Sequence, residues 1–225
     1  GAGKTALNWI ADFVDSEGID CDFRHAGRFH AAHSTAHYDA LASALNDPDY
    51  GEDTGAFAVP RAEQASELGT DIYQGGIVYP KHCALHPAKF HHGLMTKALE
   101  AGAQIAPHSP ALSVERGPSG FTVQTPGGRV TARDVVVATN GYTGTPFGWL
   151  RRRVIPIGSY IIATEPLPSG LMDELFPTDR IASDTRRVVY YYRASPDRTR
   201  VVFGGRVSAN ETDPAISGPR LHEQM

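Results

Sequence analysis

Three consecutive valines, Val135 to Val137, constrain the fold of this chain more than any other feature of the sequence. An uninterrupted β-branched run predicts a strand buried on both faces, as in parallel sheets. Asn140-Gly141 follows and predicts a sharp turn in which the glycine is free to adopt a positive φ. A buried strand ending in small residues brings bare backbone to the sheet edge where α/β proteins bind nucleotides. The stretch favours an α/β fold with a nucleotide site, although a strand without a ligand would show the same pattern.

The residues before the valines predict a helix followed by a meander of short strands. Pro87 suits the first turn of a helix over residues 87–101, and Gly102 is placed to end it. Ile105 is predicted to begin a further strand. The meander comprises short strands over 111–116, 120–125 and 129–132, joined by hairpin turns at Pro118-Ser119-Gly120 and Pro126-Gly127-Gly128.

The composition allows one large domain or a domain with an added lobe, since 41% of the 225 residues are hydrophobic and 20% are charged. The formal net charge of -4 argues against a nucleic acid or an acidic membrane as the main partner. No run approaches the ~18 apolar residues of a membrane span, and no signal peptide is visible. Cys21 and Cys83 lie far apart, which indicates reduced thiols and a cytoplasmic location.

The N-terminal third predicts two helices with short strands between and after them. Apolar residues at helical spacing predict a helix over 4–17 that ends at Gly18. The opening GAGKT lacks the first glycine and the strand of a phosphate loop, so its match to that motif is interpreted as chance. Residues 21–32 predict a strand or a pair around Gly27, and Ser34 is placed to cap a helix to Leu45. A short helix over 61–68 and a strand over 77–79 follow.

A cluster of histidines near Cys83 invites a metal-site interpretation, which the spacing does not support. His82 and His86 are four residues apart, but Pro87 directly follows His86 and disfavours a helix that carries both. Zinc sites have ligand pairs at characteristic spacings that this stretch lacks. We therefore predict no metal site.

The C-terminal third predicts an antiparallel hairpin rich in tyrosine. Residues 188–193 and 200–204 form the strands, and PDRT connects them. The period of two places Tyr190 and Tyr192 on one face and Tyr191 and Arg193 on the other. Before this hairpin, the pattern predicts a basic, solvent-exposed cluster at 151–153, a strand over 154–164 and a short helix over 171–175.

Several of these segments, taken in order, resemble FAD-dependent oxidoreductases of the D-amino-acid oxidase family, and the bacterial gamma-glutamylputrescine oxidase-like branch in particular. The resemblance rests on VVVATNG with the meander before it and on four further segments. These are Gly75-Gly76-Ile77, His86-Pro87-Ala88-Lys89, RRRVIPIGSYIIATEPL at 151–167 and YYYRASPDRTRVVFGG at 190–205. It covers nearly the whole chain.

The resemblance implies a mixed α/β fold class, in which part of a Rossmann-like FAD-binding domain accompanies a substrate lobe built on a large antiparallel or mixed sheet. The implied division is 1–80 for substrate-lobe elements and helices, 81–150 for the partial FAD-binding domain, and 151–225 for the substrate-binding sheet. No GxGxxG loop of the kind that opens the family is present. We therefore expect the central part of a longer enzyme.

The resemblance also implies the site residues. The backbone of Ala111 would hold the adenine of FAD, and the residues of the Ala138-Thr139-Asn140-Gly141 stretch would face the flavin or its diphosphate. A tyrosine of the C-terminal hairpin, either Tyr191 or Tyr192, would line the substrate pocket. The candidate catalytic residues are Tyr191, Tyr192, Arg193 and Arg206.

The implied activity is oxidation of a C–N bond in a small amine or amino acid. A hydride passes to FAD, the imine hydrolyses, and oxygen accepts the electrons to give hydrogen peroxide. Such catalysis needs an oriented substrate and a dry pocket rather than a catalytic triad. The alternative is a non-catalytic fragment that holds FAD weakly, because the phosphates would lack their helix N-terminus. Its open sheet edges would favour a homo-oligomer.

Overall fold

The computed structural model describes residues 2–47, 54–155, 158–205, 213–223 and 225. Its architecture confirms the predicted mixed α/β fold class. By proximity of Cα atoms the chain divides into two units, Gly1–Ala98 together with Ser159–Met225, and Leu99–Gly158. The predicted parts 1–80 and 151–225 supply strands to one sheet within the first unit. The assignment of separate functions to the three predicted parts stays a prediction.

The helices begin and end largely where the sequence predicts. The Ser34 side chain accepts a hydrogen bond from the backbone N–H of His37 and so caps the second helix, as predicted. The first helix ends before Gly18, which has a φ of 63°. The helices are α1 Ala2–Ser16, α2 Thr35–Ala44, α3 Pro87–Glu100, α4 Gly148–Arg151, α5 Ser169–Leu175 and α6 Pro214–His222, and a 3-10 helix covers Arg61–Ser66.

The first unit is built on a seven-stranded mixed sheet. Its strands are β1 Arg28–Ala31, β2 Phe57–Pro60, β3 Gly75–Tyr79, β7 Tyr160–Ala163, β8 Ile181–Asp184, β9 Tyr191–Ala194 and β10 Val201–Gly205. They lie in the order β2-β3-β1-β8-β9-β10-β7. Only the β1–β8 pair among these described strands is parallel, and it joins the N-terminal and C-terminal parts of the sheet.

The two faces of this sheet differ in chemistry. One face, which we call the core face, packs the side chains of Phe29, Val78 and Ala182 against Met172 and Phe176 of the α5 region. The opposite face carries Arg28 and His30 of β1 and Tyr191 of β9. On this face, Arg28 is paired with Tyr79 and Ile181, and His30 is paired with Ser183. Tyr191 is paired with Gly204. We call this second face the Tyr191 face.

The second unit contains the predicted meander. Strands β4 Ser113–Gly117, β5 Gly120–Thr125 and β6 Gly128–Ala132 form a three-stranded antiparallel sheet in sequence order. The hairpin turns fall at the predicted proline and glycine clusters. No described helix is both long and apolar enough to cross a bilayer.

The strand predicted at Val135–Val137 was wrong. Residues 134–139 have no strand conformation, and Val136 is 89% exposed. A strand buried on both faces requires hydrogen-bonded neighbours on both edges, and no described strand pairs with this stretch. The strand predicted to begin at Ile105 is absent from the described structure for the same reason.

Two other predicted strands are shorter than expected. Within the predicted 154–164 strand, the described strand covers Tyr160–Ala163, and residues 156–157 lie outside the described residues. The tyrosine hairpin begins at Tyr191 instead of at Val188. Val188 and Val189 are each 43% exposed, because the chain turns there between β8 and β9. The Asp184 carboxylate holds that turn by accepting hydrogen bonds from the backbone N–H groups of Arg186 and Tyr190.

Candidate functional site

A cavity of about 500 Å³ lies on the Tyr191 face of the seven-stranded sheet. Its size falls within the range of small-molecule sites. None of the described residues that line it carries a carboxylate. The lining consists of Arg28, Cys83, Ala84, Leu85, Pro87, Ile161, Ile181, Ala182, Ser183, Tyr191, Tyr192, Arg193, Val202 and Gly204. The cavity is therefore mostly apolar, and its ionised groups are cations.

Tyr191 is positioned by its neighbours on this face. Its Oη lies 2.6 Å from Ser159 Oγ, within hydrogen-bond distance. A Cβ placed on Gly204, the residue paired with Tyr191, would lie 2.1 Å from the tyrosine ring. Because real Cβ contacts are never this short, only glycine at position 204 lets the Tyr191 ring lie against the sheet.

Arg193 stands on the same face as Tyr191, as the alternation predicts. Its Nη2 donates a hydrogen bond of 3.1 Å to the backbone carbonyl of Leu85, which precedes α3. Burial lowers the pKa of Arg193, and the positive charge of Arg24 lowers it further. An arginine remains a cation after such a shift, because its ordinary pKa lies far above neutral pH. Arg193 therefore supplies a fixed positive charge that already has a hydrogen-bond acceptor.

Arg28 supplies a second positive charge, and its hydrogen bonding differs from that of Arg193. Its guanidinium carbon lies 4.8 Å from the centroid of the Tyr79 ring, in cation–π geometry. Its Nε is buried and has no hydrogen-bond partner among the described residues. No described carboxylate forms an ion pair with it. Arg28 is therefore a cation beside the cavity whose Nε–H is unsatisfied.

His30 lies beside this charge on β1. Its Nδ1 is 2.9 Å from Ser183 Oγ on the paired strand. Burial lowers the pKa of His30, and the nearby Arg28 lowers it further. Burial and Arg28 also lower the pKa of His82. Both imidazoles are therefore held toward their neutral forms near neutral pH.

Cys83 lines the cavity from the segment before α3. Its Sγ lies 3.2 Å from His25 Nδ1, and burial raises the pKa of the thiol. Among the residues that the structure describes, no group of three or more His, Cys, Asp or Glu side chains is arranged to hold a metal ion.

Tyr192 points to the core face, as the alternation with Tyr191 requires. Its Oη donates a 3.0 Å hydrogen bond to Tyr73 Oη, and its ring stacks on Phe203 with centroids 5.5 Å apart. Burial raises the pKa of Tyr192 well above its ordinary value. A separate cavity of about 480 Å³ lies on this side, and its lining includes Tyr73, Tyr190, Tyr192, Arg186, two threonines and apolar residues. The Tyr192 side chain therefore belongs to the core face, although the residue also borders the cavity on the Tyr191 face.

The predicted cofactor residues all lie in the second unit. A short 3-10 turn, Asn140–Tyr142, follows Thr139, whose Oγ1 lies 2.8 Å from Thr143 Oγ1. Asn140 takes a positive φ of 46°, whereas the sequence pattern predicts a positive φ at Gly141. Asparagine tolerates this conformation better than most residues. Ala111 lies two residues before β4. The next residue, Leu112, donates its backbone N–H to the carbonyl of Gln124 and so extends the pairing of β4 with β5 by one residue.

Arg206 lies outside the described residues. The structure brings Tyr191 and Arg193 together and adds three residues that the sequence analysis missed, namely Arg28, His30 and Ser183. The alternation of RFHA predicts that Arg28 and His30 share a strand face. Only the parallel pairing of β1 with β8 shows that this face is shared with Ser183.

Comparison with known proteins gives one family. Residues 2–224 match the family described as DAO, FAD dependent oxidoreductase. The probable oxidoreductase OrdL of Rhizobium meliloti is 29% identical over 235 residues, which cover 99% of this chain and 51% of the relative. The gamma-glutamylputrescine oxidoreductase of Escherichia coli is 32% identical over 206 residues, covering 87% of this chain and 46% of the relative. The chain thus spans about half the length of these curated relatives.

The fold is also similar to solved structures. Glycine oxidase from Geobacillus kaustophilus superimposes with a TM-score of 0.75 at 15% identity, covering 98% of this chain and 60% of that protein. Iminodiacetate oxidase from Chelativorans sp. BNC1 gives a TM-score of 0.69 at 13% identity, covering 98% of this chain and 61% of that protein. At these identities the likeness shows the fold alone.

Proposed function

Because this chain belongs to the DAO family of FAD-dependent oxidoreductases, we propose that it takes part in oxidising the C–N bond of a small amine or amino acid. The observation that carries the proposal is the cavity on the Tyr191 face. It is apolar, it contains two arginines and no described carboxylate, and a tyrosine stands at its wall. These are the properties of a site that binds a small organic molecule.

The Ala138 to Gly141 stretch fits a cofactor, because its small side chains leave the backbone around the Asn140–Tyr142 3-10 turn open to a ligand. In the second unit, we propose that the backbone of Ala111 and the Ala138 to Gly141 stretch bind FAD, including Thr139 and Asn140. The chemistry that FAD supplies when bound is acceptance of a hydride from the carbon that bears the amine. We propose oxygen as the final acceptor, with hydrogen peroxide as product.

The side chains of the chain itself would orient the substrate. We propose Tyr191, held by Ser159, as the tyrosine that lines the substrate pocket, because Tyr192 is hydrogen-bonded to Tyr73 on the core face. Arg193 would fix the local positive charge, and Arg206 stays a proposed pocket residue. The lowered pKa of His30 keeps a neutral imidazole beside the site. A site whose ionised groups are cations disfavours an ammonium ion and so favours the uncharged amine, which is the form that can lose a hydride.

The names of the relatives suggest the substrate range. One is a gamma-glutamylputrescine oxidoreductase, and two structural neighbours are a glycine oxidase and an iminodiacetate oxidase. We propose a gamma-glutamylated amine, a secondary amino acid or a D-amino acid as the substrate class.

A second candidate is a folded chain that retains FAD weakly. It is favoured by the exposure of Val136 and Tyr142, 89% and 95%, on either side of the proposed Ala138 to Gly141 stretch. A cofactor site with such open surroundings would give the flavin few apolar contacts. Its exposed surface would also promote self-association, which light scattering detects as a mass above that of the monomer.

The test is a visible absorption spectrum of the purified 225-residue protein after mixing with FAD and gel filtration. We expect flavin absorbance to co-elute with the protein near one equivalent. Amines and amino acids would then be screened with the flavin-loaded protein by peroxide release. Loaded protein that oxidises none of them would contradict the proposed reaction, and flavin that elutes free would favour the second candidate.

A further inference from the structure

Two histidines and a threonine converge where the strands of the parallel pair end. β1 ends at Ala31 and β8 ends at Asp184, and these two residues are partners in the register. His33 follows β1, His37 lies in the first turn of α2, and Thr185 follows β8. We call these three residues the His33 cluster. None of them lines the candidate substrate cavity, so the proposed function leaves the cluster without a role.

The polar atoms of the cluster form a triangle. His33 Nδ1 lies 2.9 Å from Thr185 Oγ1, and His37 Nδ1 lies 3.1 Å from the same oxygen. The two Nδ1 atoms are 3.0 Å apart. The Thr185 hydroxyl also accepts a hydrogen bond of 3.1 Å from the backbone N–H of His33. Each Nδ1 therefore has two polar partners within hydrogen-bond distance.

Hydrogen bonds alone serve this triangle poorly. An imidazole nitrogen carries either one N–H or one lone pair in the plane of its ring. Each Nδ1 would therefore have to share a single hydrogen or a single lone pair between two bonds. One metal ion in contact with all three atoms would instead use one lone pair from each.

The dimensions of the triangle agree with one face of a six-coordinate metal centre. Metal–ligand bonds of about 2.0–2.1 Å separate adjacent donors by about 2.8–3.0 Å in octahedral geometry and by about 3.3–3.4 Å in tetrahedral geometry. The three separations of 2.9, 3.0 and 3.1 Å lie closer to the octahedral values. The four-residue spacing of His33 and His37 is also that of the paired histidine ligands in the HExxH motif.

We propose that the His33 cluster binds a divalent first-row transition-metal ion through its two imidazoles and its hydroxyl. Imidazole nitrogens select ions such as Ni²⁺, Cu²⁺ and Zn²⁺, whereas Mg²⁺ and Ca²⁺ prefer carboxylate and carbonyl oxygens. His37 is exposed, so the ion can enter from solvent and water can complete its coordination. The expectation of no metal site came from the spacing of His82 and His86, which belong to a different segment. Here the ligands come together through the pairing of β1 with β8.

The test titrates the purified 225-residue protein, first stripped with a chelator, with Ni²⁺ or with Mg²⁺. No FAD is added, so the outcome is independent of the proposed function. Six-coordinate Ni²⁺ is paramagnetic and broadens the NMR resonances of nearby amides. We expect Ni²⁺ to broaden the amides of residues 33–37 and 184–186 together, although 152 residues separate His33 from Thr185, and Mg²⁺ to broaden neither. Broadening that is absent, or that is confined to one of these segments or to the His91-His92 pair, would overturn the proposal.

Calorimetry of variants then assigns the ligands. His33→Gln and His37→Gln should each weaken Ni²⁺ binding at least about tenfold, since losing even an indirect partner of a metal ligand costs about 10–100-fold. Thr185→Val should weaken binding, and Thr185→Asp should tighten it by supplying the carboxylate of a two-histidine, one-carboxylate triad. The matched control is His92→Gln, at an exposed histidine of α3, which should bind Ni²⁺ as the wild type does.

Two results would refute this assignment of ligands. One is an unchanged affinity in His37→Gln, and the other is a loss of affinity in His92→Gln. The broadening experiment uses the wild type alone, and tighter binding by Thr185→Asp cannot arise from misfolding. The proposal can therefore be tested even if one of the histidine variants fails to fold.

Discussion

Asp184 is the side chain whose replacement best tests what holds the seven-stranded sheet together. It lies at the end of β8 and is 0% exposed. Its carboxylate forms an ion pair with Arg186 and accepts backbone hydrogen bonds of 3.2 Å from Arg186 and 3.1 Å from Tyr190. Tyr73 Oη lies 3.5 Å away on the same side. One buried charge thus ties the β8–β9 turn to the core face.

The change Asp184→Asn keeps the shape of the side chain and removes its charge. Removing one partner of a buried ion pair costs about 3–5 kcal/mol, since the other charge is left uncompensated. The Arg186 side chain is 32% exposed, so water partly solvates it and the expected cost falls to about 2–4 kcal/mol. For a protein of this size that corresponds to a melting temperature lower by about 4–16 °C.

The measurement is thermal unfolding followed by far-ultraviolet circular dichroism. The matched control is Asp173→Asn, which removes the same charge from a carboxylate that is 72% exposed and 2.8 Å from Arg198. Exposed pairs contribute little, so the control should lose less than about 1 kcal/mol. A loss in Asp184→Asn no larger than in the control would refute the role assigned to the buried pair.

Three further predictions concern the Tyr191 face. Gly204→Ala forces the Tyr191 ring off the sheet and should lower the free energy of unfolding, measured in urea, by about 1–3 kcal/mol. The control Gly170→Ala adds a methyl group where there is open space and should be neutral or stabilising. Equal effects of the two changes would show that Gly204 is not needed for the packing of Tyr191. Burial lowers the pKa of His30, so as pH falls below about 6.5 the unfolded state takes up the proton first and stability is lost. His30→Gln should reduce that loss between about pH 7.5 and pH 5, and an unchanged profile would exclude His30 as its source. Burial raises the pKa of the Cys83 thiol, so iodoacetamide should alkylate it slowly at neutral pH. A ligand in the cavity should slow the reaction further, because Cys83 lines that cavity. Mass spectrometry measures the rate, and a rate equal to that of free cysteine would show that Cys83 is not buried in this way.

The sequence was most informative where structure is local. The cap at Ser34, the meander and the faces of Tyr191 and Arg193 depend on residues within a few positions of one another. The period of two therefore predicted the orientation of Tyr191 correctly. The same locality explains the error at Val135–Val137, because a buried strand depends on neighbours that the pattern itself does not specify.

The site was less predictable because it is assembled from distant segments. Arg28 and His30 reach the Tyr191 face only through the pairing of β1 with β8. Nothing in the residues of either strand encodes that partnership, since both are short and of mixed polarity. The unsatisfied Nε of Arg28 is likewise a property of its surroundings and not of its sequence.

Because β1 pairs with β8, the seven-stranded sheet cannot be completed until late in the synthesis of the chain. His30 and Ser183 are partners across 153 residues of chain. At a synthesis rate of about 5–20 residues per second, the ribosome takes about 8–30 s to deliver β8 after β1 has appeared. Once β3 has been synthesised it can pair with one edge of β1, but the other edge of β1, next to the apolar side chain of Phe29, keeps its hydrogen-bonding groups open until β8 arrives. An open edge of this kind is a template for pairing with another nascent chain. We expect the yield of folded protein to depend on how well this strand edge is protected until β8 is synthesised, and a more stable folded state does not shorten that interval.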